Sequence, residues 1–375
     1  MDTQFTEQKS ILDSILSKEN MEEMSQFEPS SILRLLFASL SDKEKKVIIH
    51  RYGLEEEEVK TLEEIGHLFN VTRERIRQIE NGSIKKIKGN PDIDTHLKPI
   101  ESLVNNILEQ NGGVMRDDNL LDKVISYSVV KDINRAATKF IIFQLLNHNW
   151  ERVDKHDKLH NGWKLPTASM ELIEELVDNL VAVLSDEDKP LPRQFILDAL
   201  AKKPSSQKFT DFLNDDVVDN ALDLTRKIDK NPFEEWGLLN WRSIKPKRMN
   251  DKIYLVMKKE GKPMHFTEIA TKINEAKFDA KTAYPATIHN ELILDDKYVL
   301  VGRGIYALQE WGYQPGVVAD VIAEVLVESA KPLTKNEIME KVLLKRIVKK
   351  STIQLALMNK DRFERVERNK YQLKK

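Results

Sequence analysis

The chain has no cysteine. Disulfides, thiolate zinc sites and cysteine nucleophiles are therefore excluded, and the composition suits a reducing cytosol. No apolar run approaches the ~20 residues that a bilayer span requires. Met1 to Asn20 is polar and mixed in charge, unlike a secretory signal. A dominant charge is also missing. The 59 Lys and Arg against 61 Asp and Glu leave a net charge of −2, so nucleic-acid binding has to come from local patches. No Walker loop, nucleophile-plus-base motif or paired catalytic carboxylate stands out, and Gly302-Arg-Gly304 is too short for a phosphate loop. An enzyme, a cofactor, a small-molecule substrate and a membrane are accordingly not expected. What is present is 375 residues with 41% hydrophobic content, enough for roughly two to four packed domains.

One stretch organises the rest. Thr61-Leu-Glu-Glu-Ile-Gly-His-Leu-Phe-Asn-Val-Thr-Arg-Glu-Arg-Ile-Arg-Gln-Ile-Glu80 reads as two short helices joined by a tight turn. Thr61 with Glu64 has capping-box spacing, and Thr72 is a second N-cap. Leu62, Ile65, Leu68 and Phe69 are expected on one helical face, with Ile76 and Ile79 facing them. Gly66 is small enough for close packing, and Asn70 tolerates the left-handed turn conformation. Arg73, Glu74, Arg77 and Gln78 share the opposite face of the second helix. Arg can grip guanine, Gln adenine, and Glu can accept from cytosine, so these are the base-contacting candidates. A charged, solvated helix face is the plainer explanation of such residues. The agreement of both caps, the turn and the face outweighs it.

Together with Ser41-Asp-Lys-Glu-Lys-Lys-Val-Ile-Ile-His-Arg-Tyr-Gly-Leu54, this stretch resembles region 4 of bacterial RNA polymerase sigma factors of the housekeeping type, over about residues 28 to 90. The resemblance implies a recognition helix in the major groove of a minus-thirty-five promoter element. It places Arg51, Leu62, Glu63 and Thr72 at the DNA backbone, and Arg75, Lys85 and Lys86 are further candidates there. It also implies contact with the polymerase flap, for which Leu33, Leu36, Phe37 and Leu40 are candidates, although a core role is commoner for such residues. One departure stands out: Asn81-Gly82-Ser83 replaces a basic position and an apolar tail. Gly weakens a helix interior by ~1 kcal/mol, so an interrupted tail and weaker binding are expected, with Lys85, Lys86 and Lys88 as substitutes.

Beyond Asn90-Pro91 the chain repeats itself. Phe363, Val366, Tyr371 and Leu373 keep the spacing of Tyr298, Val301, Tyr306 and Leu308. Trp150, Val153, Trp163 and Leu165 do so with a longer tip, and Phe233, Trp236 and Trp241 fit with Ser243 in last place. Each set reads as a β-hairpin. Lys189-Pro-Leu191, Lys262-Pro-Met264 and Lys331-Pro-Leu333 each sit at a Pro-bounded turn between helices, a place taken by Gly113-Val-Met115 in the first copy. Helix, turn, helix, helix, hairpin is a winged-helix order. The expected fold is mainly α: a helix-turn-helix domain followed by tandem winged helices with small hairpin wings. The expected segments are an N-terminal helix or tail at 1–26 (Ile11, Leu12, Ile15 and Leu16 as its stripe), the sigma-like domain at 27–95, and winged units at 97–166, 168–246, 249–313 and 315–375.

The third unit, with Lys262-Pro-Met-His-Phe-Thr-Glu-Ile-Ala270 and Tyr298-Val-Leu-Val-Gly-Arg-Gly-Ile-Tyr-Ala-Leu-Gln-Glu-Trp-Gly312, resembles the HARE-type helix-turn-helix found in the delta subunit of bacterial RNA polymerase. That resemblance implies DNA binding or polymerase association. The last unit is rich in Lys and Arg. Lys345, Arg346, Lys349 and Lys350 form a possible second DNA patch, or a solvated basic surface. His156 and His160 flank Asp157 at metal-like spacing without a third ligand, so no metal site is expected. The tryptophans are expected in wing cores, with Trp311 as the best exception for base stacking.

The expected function is a cytoplasmic DNA-binding transcription protein that reads double-stranded promoter DNA. A complete sigma factor is not expected, because only about forty residues precede the sigma-like part and no strand-melting domain accompanies it. An alternative is an RNA polymerase accessory, delta-like or anti-sigma-like protein that binds polymerase core through the flap. A modified-DNA sensor is a third idea that rests on the HARE likeness alone.

Overall fold

The computed structural model describes residues 28–55, 57–127, 132–203, 214–313, 316–348, 350–367 and 369–374. The expected N-terminal helix at 1–26 lies outside them. The fold is mainly helical, with small three-stranded antiparallel sheets. The described residues divide into two compact units. One runs to Val183 and adds Leu197–Lys227; the other is Leu184–Ile196 with Ile228–Lys375.

The first unit begins with α1 (Pro29–Leu36), α2 (Asp42–Tyr52), α3 (Leu62–Phe69) and α4 (Arg73–Lys88). Ser41 and Glu44 close a capping box on α2, and Gly53 ends it in the left-handed conformation. α4 runs without a break through Gly82 to Lys88, so the expected interruption of its tail does not occur. A single glycine lowers helix propensity but removes no backbone hydrogen bond. α5 (Ile93–Gln110) follows, with β1 (Val114–Arg116), α6 (Asp117–Ser126), α7 (Asp132–Phe140), a π turn at Ile141–Leu145, β2 (Glu151–Val153) and β3 (Gly162–Lys164). One buried cluster joins both sides of Asn90-Pro91: Leu33, Leu36, Phe37 and Ile87 pack in the same core as Leu103, Phe140 and Trp163.

The same element order then recurs. It comprises α8 (Met170–Glu187), β4 (Leu191–Pro192), α9 (Arg193–Ala201), α10 (Asp215–Leu224), β5 (Ile228–Lys230) and β6 (Glu235–Leu238). Next come α11 (Met249–Glu260), β7 (Met264–His265), α12 (Phe266–Ala276), α13 (Pro285–Leu294), β8 (Tyr298–Gly302) and β9 (Ile305–Leu308). Last are α14 (Val318–Ser329), β10 (Leu333–Thr334), α15 (Lys335–Lys345), α16 (Lys350–Leu357), β11 (Phe363–Glu367) and β12 (Lys370–Leu373).

The Pro-bounded turns prove to be short edge strands. Each pairs with the second strand of its hairpin, and each sets an apolar residue opposite an aromatic one: Met115 faces Trp163, Leu191 faces Trp236, Met264 faces Tyr306 and Leu333 faces Tyr371. Such cross-strand pairs are the unit of sheet stability. In the second repeat the hairpin lies earlier than its sequence spacing suggested. Asn231 Oδ1 accepts from the Phe233 amide at 2.9 Å and the Glu235 amide at 3.1 Å, which makes 231–234 the tip and leaves Trp241 beyond the strand.

Candidate nucleic-acid interface

The helix pair α3–α4 is built from local signals. The Thr61 amide donates to Glu64 Oε2 at 2.7 Å while the Glu64 amide donates to Thr61 Oγ1 at 3.2 Å. Thr72 Oγ1 accepts from the Arg75 amide at 3.2 Å. Asn70 takes the left-handed conformation, φ 51° and ψ 47°. A Cβ on Gly66 would stand 2.7 Å from the Val71 carbonyl oxygen, so the turn passes close only because residue 66 is glycine. Val47, Ile65 and Ile76 are fully buried between the helices, with Leu62, Phe69, Val71 and Ile79 packed on them. Leu68 is 58% exposed and stands outside this core, contrary to the sequence expectation. Leu62, Ile65 and Phe69, at i, i+3 and i+7, already complete the buried stripe of a two-turn helix.

This core fixes α4 with one side outward. Arg73, Glu74, Arg75, Arg77 and Gln78 are all exposed. Arg77 forms a fork on Glu74, Nε to Oε2 at 2.9 Å and Nη2 to Oε1 at 2.7 Å. The bond to Arg77 holds the Glu74 carboxyl below its ordinary range, so both groups are charged at neutral pH. Arg75 Nη1 donates to Gln78 Oε1 at 3.2 Å. These pairs orient donors and acceptors outward, and exposed pairs of this kind open at small cost.

The residues expected at the DNA backbone have different fates. Glu63, Thr72, Arg75 and Lys85 are exposed beside the outward face, and Leu62 is half-buried in the small core. Leu62 and Glu63 occupy the first turn of α3, where backbone amides lack intrahelical acceptors and suit phosphate oxygens. Arg51 instead braces the fold: its Nε lies 3.4 Å from Glu80 Oε1, and its Nη1 donates to the Lys60 carbonyl at 3.2 Å. Lys86 is paired with Glu44 at 2.6 Å. That lysine and the Ser41 cap hold the Glu44 carboxyl down at about 2.

Glu80 was not singled out in the sequence. It is 8% exposed on α4 and accepts from the Tyr52 hydroxyl at 2.8 Å as well as from Arg51. Burial first, and this bond second, push the Tyr52 hydroxyl pKa up. The available signal was an acidic residue on the inner side of an amphipathic helix, four places after Ile76.

The candidate second patch does not assemble as a set. Lys345 lies 2.6 Å from Glu328 and 3.6 Å from Glu324. Arg346 is 8% exposed and donates to the Gly316 carbonyl. Burial lowers its guanidinium pKa. Lys350 is exposed, and Lys349 lies outside the described residues. His156 Nε2 is 3.2 Å from Glu174, and the His160 amide donates to the Leu224 carbonyl at 2.8 Å. Among the described residues no group of three or more His, Asp or Glu is placed to hold a metal ion. Trp311 is partly buried against two apolar clusters.

The model of the family "Sigma-70, region 4" matches residues 36–89. Residues 36–89 are a sigma-70 region 4 domain. The chain is 50% identical across 66 residues to the RNA polymerase sigma factor SigA of a Nostoc species, covering 18% of this chain and 17% of that one. It is 48% identical over 50 residues to SigA of Listeria monocytogenes, 13% of each chain. It is 47% identical over 60 residues to the sigma factor sigB of Arabidopsis thaliana, 16% of this chain and 10% of that one. The chain thus spans less than a fifth of the length of these relatives. In sigma factors, region 4 binds minus-thirty-five promoter DNA and the polymerase flap. The region 4 head of this chain is thus similar to the part of sigma factors that binds promoter DNA.

Proposed function

We propose that the protein is a DNA-binding transcription regulator that reads a minus-thirty-five-type promoter element through α4. The outward set Arg73, Glu74, Arg77 and Gln78, on a helix fixed by a buried core, carries this reading. Arg77 and Arg73 supply guanidinium forks for guanine, Gln78 an amide for adenine and Glu74 an acceptor for cytosine. Thr72, Arg75, Lys85 and the first amides of α3 hold the phosphates that set the register. Each following helix–strand–helix–helix–hairpin unit is read as a winged helix, the third as HARE-type. Double-stranded DNA is the principal partner, the cytoplasm the compartment, and no catalytic step is assigned. Opening of the DNA strands is not part of this function.

Selection of bound sequences from a random duplex pool tests the reading. The purified chain should enrich one motif resembling a minus-thirty-five element. A pool that stays random after several rounds, with Arg77→Ala indistinguishable from the parent protein, would sink it.

A further inference from the structure

The broad apolar face of the region 4 head is already occupied. Leu33, Leu36, Phe37 and Leu40, candidates for the polymerase flap, are between 0% and 5% exposed. α7 packs against α1, and Ile141, Ile142 and Leu145 of the π turn join the same buried cluster. Phe140 is 1% exposed and meets Phe37 edge-on at a centroid distance of 6.3 Å and Tyr52 at 4.6 Å. Ala137 beside it is 3% exposed.

The cover is incomplete. A cavity of about 250 Å³ remains along the seam, lined among others by Ser30, Leu33, Arg34, Phe37, Leu54 and Ala137. Its walls are mixed, apolar at Leu33, Phe37, Leu54 and Ala137 and polar at Ser30, Arg34 and Glu55, so the packing of α7 on α1 leaves space unfilled. Among its described residues the head otherwise exposes only Leu35, Val59 and Leu68 as large apolar side chains, at separate places in the sequence. A protein partner that docks by apolar contact therefore has this face to use, and α7 is on it.

We propose that α7 is an intramolecular occupant of the head's partner-binding face, and that the RNA polymerase flap binds the head by displacing it. The proposal rests on the region 4 reading. The occupant is a short helix of the same chain, so it competes at a high effective concentration and lowers the apparent affinity for polymerase by the fraction of molecules that are closed. DNA reading, on the outward side of α4, does not require the seam to open.

The test uses the full chain and purified core polymerase. Ala137→Glu places a charge in the seam. It should raise affinity for core by about tenfold or more, while affinity for the selected DNA stays within about threefold. Equal affinity of variant and parent for core, or no binding by either, overturns the proposal. If Ala137→Glu fails to fold, amide exchange on the parent chain decides. Saturating core should strip protection from 135–145 and leave 29–40 protected. Binding that leaves 135–145 protected overturns displacement. Loss of DNA selection by the parent chain would instead count against the promoter reading, whatever core does.

Discussion

The recognition helix and the basic stretch near the C-terminus look alike in composition and differ in structure. On α4, five neighbouring polar residues are exposed, and their pairings stay among themselves. On α15 and the loop after it, Lys345 faces Glu324 and Glu328, and Arg346 is buried against the Gly316 carbonyl. The contrast lies in burial: the α4 cations are exposed, whereas Lys345 is half-buried and Arg346 is buried.

Arg77→Ala gives the largest expected effect on DNA binding. It should cost about 1–3 kcal/mol and relax specificity at one base pair, read by titration against the selected site and its single-base variants. Arg346→Ala should cost a similar amount, about 1–3 kcal/mol, but in folding stability, because it removes a buried donor from a carbonyl. Chemical denaturation would show this, with DNA affinity unchanged. A drop in DNA affinity there would erase the contrast between the two regions.

Gly82→Ala should stabilise the head by up to about 1 kcal/mol, since a Cβ there meets nothing within 4 Å and the helix is continuous. Gly82→Lys should steepen the salt dependence of DNA binding by about one phosphate contact. The Glu44–Lys86 pair predicts a pH effect. The Glu44 carboxyl is held at about 2, below its ordinary 4.5. Its contribution to stability is present above pH 4.5 and lost as pH falls from there toward 2. Solvent screening keeps it near or below about 1 kcal/mol, and Lys86→Ala should flatten that part of the acid-denaturation curve. Smallest of all, Lys345→Ala should leave DNA affinity and its salt slope unchanged.

Local features were legible in the sequence. Both caps, the Asn70 turn and the outward set on α4 depend on residues within a few places of one another, and pattern reading reaches that far. The hairpin positions were legible where aromatics marked them. Contacts between distant segments were not. Phe140 gives no sign in the sequence that it meets Phe37 and Tyr52, and the carboxylates that match Lys345 sit on the preceding helix. The two-residue edge strands were hidden because Leu191, Met264 and Leu333 each follow a proline, which reads as a turn, while their partners lie some forty residues on.

The unbroken course of α4 has a mechanical meaning. Its first two turns present Arg73, Glu74 and Arg77, while at its far end Ile87 sits in the cluster shared with α7 and Lys88 Nζ donates to Asn147 at 3.0 Å. Sixteen residues make a rod about 24 Å long. A rotation of about 5° at its root would sweep the tip by about 2 Å, more than hydrogen bonds to base edges tolerate. The packing of α4 on α2 and α3 is thus the mount of a pointer, and its seating sets the angle at which the tip meets the groove.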